Sequence, residues 1–352
     1  MKTLVRVLFL SAALAGMFVL AKKQNYIRRI VRFFTPAVEL GKYHDPTIDG
    51  VQEYMRETTA LLDQKNYDAL EKRARDAWVN KERFSHGRWK LSNFYDAFEP
   101  GEKEPESAWQ ARLQQLNAWI LARPNSGPAY IALAEFFTNY AWRARGGGWA
   151  NSVTQQGWTL FRQRLNAAYQ VLERGRNVAA RDPGYWNIYQ TVAMGLDWPL
   201  FRRQEIFRNG LAVAPDYVPL YTTYAYTITP RWGGKPGQIK ELADQAVQVS
   251  GGPGEEIYAW IAFQMDELSE DPARLAKLEW PRIEAACNKL LEKYPDEPSI
   301  ISRFAMLAVR YGDATLARKL FADLDDRVDM RVWDSVDDYK KHYNHVHPGA
   351  KK

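Results

Sequence analysis

The sequence predicts an all-α protein in which tetratricopeptide-like helix-turn-helix repeats stack into an irregular α-solenoid. Three observations carry this expectation. From Val51 onward, apolar residues recur at three- and four-residue steps, the period of an amphipathic helix. Proline-marked turns open successive segments: ARPNSGPAYIALAEFFTNYAWRARG, AARDPGYWNIYQTVAMGL, AVAPDYVPLYTTYAYTI and EKYPDEPSIISRFAMLAVRYGD. Each then places an aromatic or aliphatic residue before a helix with small residues on one face. No stretch sustains the alternation of a half-buried strand. Pro183 and Pro215 lie close to the period of about 34 residues of a tetratricopeptide unit, and the other intervals are longer and irregular. Helix pairs that cannot bury their faces alone must stack, which makes a solenoid.

Composition agrees with a folded body. The chain has 352 residues, 46% hydrophobic and 26% charged, enough for a sizeable core. Its 13 Trp, 19 Tyr and 15 Phe either fill helix-to-helix contacts or line a groove. The net charge of +6 comes from 48 basic and 42 acidic residues, and part of the excess sits at Lys22, Lys23, Arg28, Arg29 and Arg32. Such a mixed surface is not a nucleic-acid footprint, and no nucleic acid is expected as a partner. Cys287 is the single cysteine, so an intrachain disulfide and a CxxC motif are excluded. Within IEAACNKLLEKY it reads as a small core residue.

Taken in order, residues 1–21 read as a signal peptide or membrane anchor. Lys2 and Arg6 precede or open the apolar run VLFLSAALAGMFVLA, which is short for a span of about twenty residues. Cleavage after Ala21 would export the chain to the periplasm. The basic residues that follow favour instead an anchor in the inner membrane, with its sidedness open. Residues 22–50 form a basic amphipathic segment and linker. Tyr26 to Phe34 interleaves Ile27, Ile30, Val31 and Phe34 with arginines, as in a helix lying on a membrane surface or a short packing helix. Pro36 and Pro46 mark the linker.

Residues 51–324 form the helical-repeat domain. It begins with two helices that break between Asp63 and Asn66. The segment SHGRWKLSNFYDAF follows, with Gly87 as a turn and Trp89, Leu91, Phe94 and Tyr95 as buried anchors. Ser107 is the expected N-cap of the next helix, and Pro124 its stop. TLFRQRLNAAYQVLERGRNVA, PLFRRQEIFRNGLAV, IKELADQAVQVS and ATLARKLFADL supply the partner helices. Residues 325–352 provide a capping helix anchored by Trp333 and Tyr339, then a frayed tail.

The most unusual stretch is YAWRARGGGWANSVTQQGW, Tyr140 to Trp158, with a weaker echo in TPRWGGKPGQ. Gly146, Gly147 and Gly148 form either a wide turn between helices or an anion nest beside Arg143 and Arg145. The GxxxxGK[ST] pattern of a nucleotide-phosphate loop is absent. If the two loops meet, Trp142, Arg145, Trp149, Arg231 and Trp232 would surround a cationic, aromatic recess suited to an acidic peptide terminus or a sugar.

At these residues the chain resembles a bacterial family, domain of unknown function 4034. RWKLSNFYDAF, ALAEFFTNYAWRARGGGWANSVTQQGWTLFRQRL, TPRWGGKPGQ and GGPGEEIYAWIAF carry the resemblance, between about Asn66 and Phe263. It implies a tetratricopeptide-like helical fold and supplies no reaction, ligand or catalytic residue.

Other candidates are weaker. His342, His345 and His347 lack a thiolate or carboxylate cage and read as a solvated tail, so no metal is expected. His44 and His86 read as loop residues. Glu135, Glu255, Glu256 and Asp266 are either wet helix faces or members of a carboxylate pair for glycoside hydrolysis. GxSxG, HExxH and SxxK patterns are absent. No cofactor is expected. The expectation is a non-enzymatic helical-repeat protein of the cell envelope that binds a protein or peptide partner. An envelope hydrolase or carbohydrate-binding protein, and a membrane-tethered cytoplasmic scaffold, are the alternatives.

Overall fold

The computed structural model describes residues 46–101, 103–148, 150–268, 276–324, 327–333 and 335–348. The expectations for residues 1–21, for Tyr26 to Phe34, for His44 and for Trp149 lie outside the described residues. Within them the protein is all-α, with no strand and one isolated bridge between Arg83 and Trp89. No described helix is long and apolar enough to cross a membrane.

The helices are α1 Pro46–Asp63, α2 Tyr67–Val79, α3 Lys90–Asp96, α4 Glu106–Ala122, α5 Gly127–Arg145, α6 Gln155–Ala179, α7 Pro183–Gly195 and α8 Leu200–Val213. They continue with α9 Val218–Thr227, α10 Gln238–Val247, α11 Glu256–Leu268, α12 Trp280–Lys293, α13 Pro298–Arg310, α14 Ala314–Leu324 and α15 Val336–Val346. Each of α5, α7, α9, α11 and α13 packs on the helix after it as an antiparallel pair, and also touches the next member of its own series. That double contact produces a solenoid: the odd series makes one layer and the even series the other.

Local sequence explains the regularity. Proline occupies the first turn of α5, α7, α9, α12 and α13, where its missing N–H would have had no intrahelical partner. Ser126, Thr154 and Asp182 cap α5, α6 and α7 by accepting from the backbone of Ala129, Gly157 and Gly184 at 3.3, 3.0 and 2.7 Å. Small residues let the layers approach closely: a Cβ on Gly175 of α6 would stand 2.5 Å from the Tyr130 ring of α5. The core is continuous and aromatic, with Trp109, Trp119, Tyr185, Tyr217, Tyr258 and Trp333 fully buried. Burying a side chain of Leu or Phe size stabilises by about 1.5–3 kcal/mol.

Three local expectations change. The N-cap of α4 is Pro105, and Ser107 lies inside its first turn with Glu106 as the first helical residue. The first helix starts at Pro46 rather than Val51, because a proline at that position fits the opening turn. The histidines near the C-terminus do not lie in a solvated tail. His342 and His345 belong to α15, whose Tyr339 and Val346 are buried, and His347 stacks on Tyr343 with ring centroids 4.1 Å apart. Burial by its neighbours lowers the His342 pKa, against the pull of Asp338. Among the described residues, no group of three or more His, Cys, Asp or Glu is arranged to hold a metal ion.

Candidate functional site

The inner layer of the solenoid does not face open solvent along its whole length. Residues 81–96 run across its concave side and tie helices far apart in the chain. Lys81 pairs with Asp216 at 2.7 Å. The Ser92 and Tyr217 hydroxyls are 2.8 Å apart, and Trp89 meets the Tyr217 ring edge to face at 4.9 Å. The Tyr95 hydroxyl donates to Asp182 at 2.6 Å. Gly87 passes so close to the far end of the solenoid that a Cβ there would stand 2.8 Å from Tyr294 and 3.2 Å from Trp260. Its φ of +80° also suits glycine alone.

This crossing walls one side of a half-open cavity of about 360 Å³, within the range of small-ligand sites. The stripes that line it repeat at helical spacing. Ser92, Asn93 and Asp96 come from α3, and Glu135, Thr138, Asn139 and Trp142 from α5. Asn187 and Thr191 come from α7, Thr222, Thr223 and Tyr226 from α9, and Trp260, Gln264 and Glu267 from α11. Arg303 of α13 reaches the same space.

The C-terminal ends of α5 and α9 bring the two unusual loops together. Trp142 and Trp232 meet edge to face at 5.8 Å, and the Arg231 Nη2 reaches the Gly148 carbonyl at 3.5 Å. Arg145, Gly146, Gly147 and Arg231 line the cavity, with Trp142 beside them, while Trp232 supports Trp142 and Tyr226 from behind. Arg145 is buried between the Trp142 and Trp158 rings, 5.4 and 5.3 Å from its guanidinium. Its Nη1 donates to the carbonyls of Gly146 and Gly148 at 3.0 and 3.1 Å. Burial lowers its pKa, with the Tyr226 hydroxyl acting in the other direction.

The glycines form a turn and not an anion nest. Gly146 ends α5 with φ +69°, and its N–H is spent on the Trp142 carbonyl at 2.8 Å. Carbonyls, not N–H groups, converge on Arg145, as the negative end of a helix dipole favours. The second loop is tighter: a Cβ on Gly234 would lie 1.7 Å from the Ile228 carbonyl oxygen. Arg203 of α8, a residue without a signature in the sequence, holds this loop from below. It is buried and donates to the carbonyls of Thr227 and Trp232 at 2.6 and 2.8 Å.

Of the four acidic residues singled out from the sequence, only Glu135 lines the cavity. Glu255 pairs with Arg282 at 2.8 Å, Glu256 with Lys293 at 3.1 Å and Asp266 with Arg310 at 3.0 Å. The partner of Glu135 is Asp96, on α3. Both carboxyls are half-buried and titrate well above the usual carboxylate range. Burial is the main cause for each, and repulsion from Asp96 adds to it at Glu135. Arg88 draws Asp96 down and the Asn139 amide, 3.4 Å from Glu135, draws Glu135 down, but neither prevails. His86, expected as an ordinary loop residue, is buried behind this wall, and burial first, then Arg88, pushes its pKa down to about 2.

Fold and cavity together define a helical-repeat protein with a half-open polar and aromatic recess. The model of the family described as domain of unknown function (DUF4034) matches residues 54–175, so that segment carries the domain of this family. The match takes in Asp96, Glu135 and Arg145 and stops before TPRWGGKPGQ and GGPGEEIYAWIAF. No curated protein matches the chain.

Proposed function

We propose that the protein is a non-enzymatic binding protein of the cell envelope that takes the acidic end of a protein or peptide partner into its recess. The observation that carries this reading is the meeting of the two loops, which sets Arg145 and Arg231 on one cavity with Trp142 between them and the protein interior. The Arg145 fork is held by carbonyls rather than by a carboxylate. At Arg145 an incoming carboxylate would therefore gain charge-assisted hydrogen bonds in a partly desolvated place, without displacing a carboxylate partner. A recess of about 360 Å³ suits a chain terminus better than a long extended segment. The apolar run in residues 1–21 supports the envelope assignment.

Fluorescence anisotropy with a library of short labelled peptides ending in a free carboxylate tests it. Binders should lose at least about tenfold in affinity with Arg231→Ala and with Arg145→Lys, which keeps the charge and removes the fork. Amidated peptides should bind as weakly as the variants do. Equal binding of acid and amide would sink the reading.

A second reading, an envelope hydrolase acting on a glycoside, is favoured by the Asp96 and Glu135 carboxyls on one cavity. One protonated and one ionised carboxyl are the requirements of that chemistry. Release of nitrophenol from aryl glycosides, abolished by Glu135→Gln, would support it. No turnover of α- or β-linked substrates would count against it.

A further inference from the structure

We infer that Asp96, Glu135 and Asn139 form a receptor for an ammonium group, so that the ligand of the recess is a zwitterion with its acid at Arg145 and Arg231. The acid half rests on the binding function proposed above. The ammonium half has its own support.

Two half-buried carboxyls on one cavity are costly unless a cation or a proton compensates them. Among the described residues, neither Asp96 nor Glu135 forms an ion pair. Glu267, on the same cavity, is by contrast held by Arg303 and lies 4.0 Å from Arg88. The Tyr217 hydroxyl, a neighbouring donor, is engaged with Ser92. Arg88 acts on Asp96 through its charge and not through a hydrogen bond.

Asn139 provides the second observation. It is buried, it lines the cavity, and its amide nitrogen is turned to Glu135 at 3.4 Å. Among the described residues no donor reaches its Oδ1. The recess therefore presents three acceptors, the Asp96 and Glu135 carboxyls and the Asn139 carbonyl, and an ammonium has three donors. No third carboxylate, His or Cys joins them in a metal-holding group among the described residues. Without ligand, burial of both carboxyls and the repulsion of Asp96 on Glu135 keep one proton on the pair into the neutral range. Arrival of an ammonium stabilises the ionised pair and sends a proton to solvent.

Isothermal titration of the full-length protein at pH 7.5 tests this with three probes: trialanine, N-acetyl-trialanine and n-butylammonium. Repeating each in two buffers of different ionisation heat counts the protons released. Trialanine should bind about tenfold or more tightly than its acetylated form, the worth of charged hydrogen bonds. Trialanine and n-butylammonium should each release a proton, and n-butylammonium should compete with trialanine. Glu135→Gln, checked for a cooperative melt, should bring the two peptides level and end the proton release. If n-butylammonium neither binds nor releases a proton, or if proton release survives in Glu135→Gln, the ammonium receptor is wrong whatever the peptides do. If n-butylammonium behaves as expected while N-acetyl-trialanine fails to bind, the receptor stands and the arginine half of the ligand falls.

Discussion

Trp142 and Trp232 meet edge to face with ring centroids 5.8 Å apart, and through that contact the end of α5 and the turn after α9 become one wall. Arg203 is what keeps the second half of the wall in place, since its fork binds the last turn of α9 and the Trp232 carbonyl at once. Arg203→Met keeps most of the bulk and removes both bonds. Each charged bond contributes about 1.5–3 kcal/mol, so a loss of about 3 kcal/mol is expected in urea unfolding. Tryptophan emission should shift red as Trp232 loosens. A variant as stable as the parent would show that the loop is held by packing alone.

The glycines of the two loops should respond unequally to alanine. Gly234→Ala drives a Cβ to 1.7 Å from the Ile228 carbonyl oxygen, a backbone atom that cannot step aside. Gly146→Ala meets nothing within 4 Å and suffers only the backbone strain of φ +69° with ψ 171°, worth about 1–3 kcal/mol. Thermal melts should therefore rank Gly234→Ala well below Gly146→Ala. The reverse order would contradict the loop geometry.

The helices were legible because their signals are local: three- and four-residue periodicity, prolines in first turns, and Ser, Thr or Asp before them. The recess was legible only in outline. Arg145, Arg231, Trp142 and Trp232 stand out by composition, and the loops that bear them do meet. Asp96 did not stand out. In KLSNFYD the rings of Phe94 and Tyr95 mark a packing helix, and Ser92, Asn93 and Asp96 look like its wet face. That face becomes a cavity wall only because residues 81–96 cross the concave side, a fact fixed by contacts to Asp182, Tyr217 and Trp260 that no local pattern encodes. Arg203 was hidden for the same reason, as one arginine among several on α8.

Cys287 offers a check on the core. It is fully buried on α12, and burial, with the charge of Glu284 adding to it, holds its thiol well above the usual range. The thiolate is the reactive form, so Ellman's reagent should find no thiol in the native protein and one after denaturation. Rapid labelling of the native state would place α12 outside the cooperative core.

The carboxyl pair should make stability fall as pH rises from the ordinary carboxylate range to about 8. A carboxyl whose folded-state pKa is raised holds its proton more tightly folded than unfolded. Its contribution is complete at low pH and is lost as pH climbs through the folded value. Asp96 and Glu135 act this way. Asp182, which burial raises to about 6 against the bonds from Tyr95 and Gly184, does so over a lower range. His86 works oppositely, since its depressed folded value makes the unfolded chain the better proton binder below pH 6.5. Asp329 is also opposite: burial alone would raise it, but Arg331 holds it down to about 2, so its contribution disappears only in acid. Above about pH 7.5 both depressed histidines, His86 and His342, are almost wholly neutral in the unfolded chain as in the folded one, and the pair dominates. Each group then lowers stability by at most about 1.4 kcal/mol per pH unit, less where its carboxyl faces solvent in the cavity. Glu135→Gln removes one member and the repulsion on the other. It should melt about 2 °C or more above the parent at pH 8, by less at pH 6, and close to it near pH 4.5, where the unfolded carboxyl also holds its proton. A parent whose melting temperature is flat across that window would show that the two carboxyls are already ionised and compensated in the folded protein.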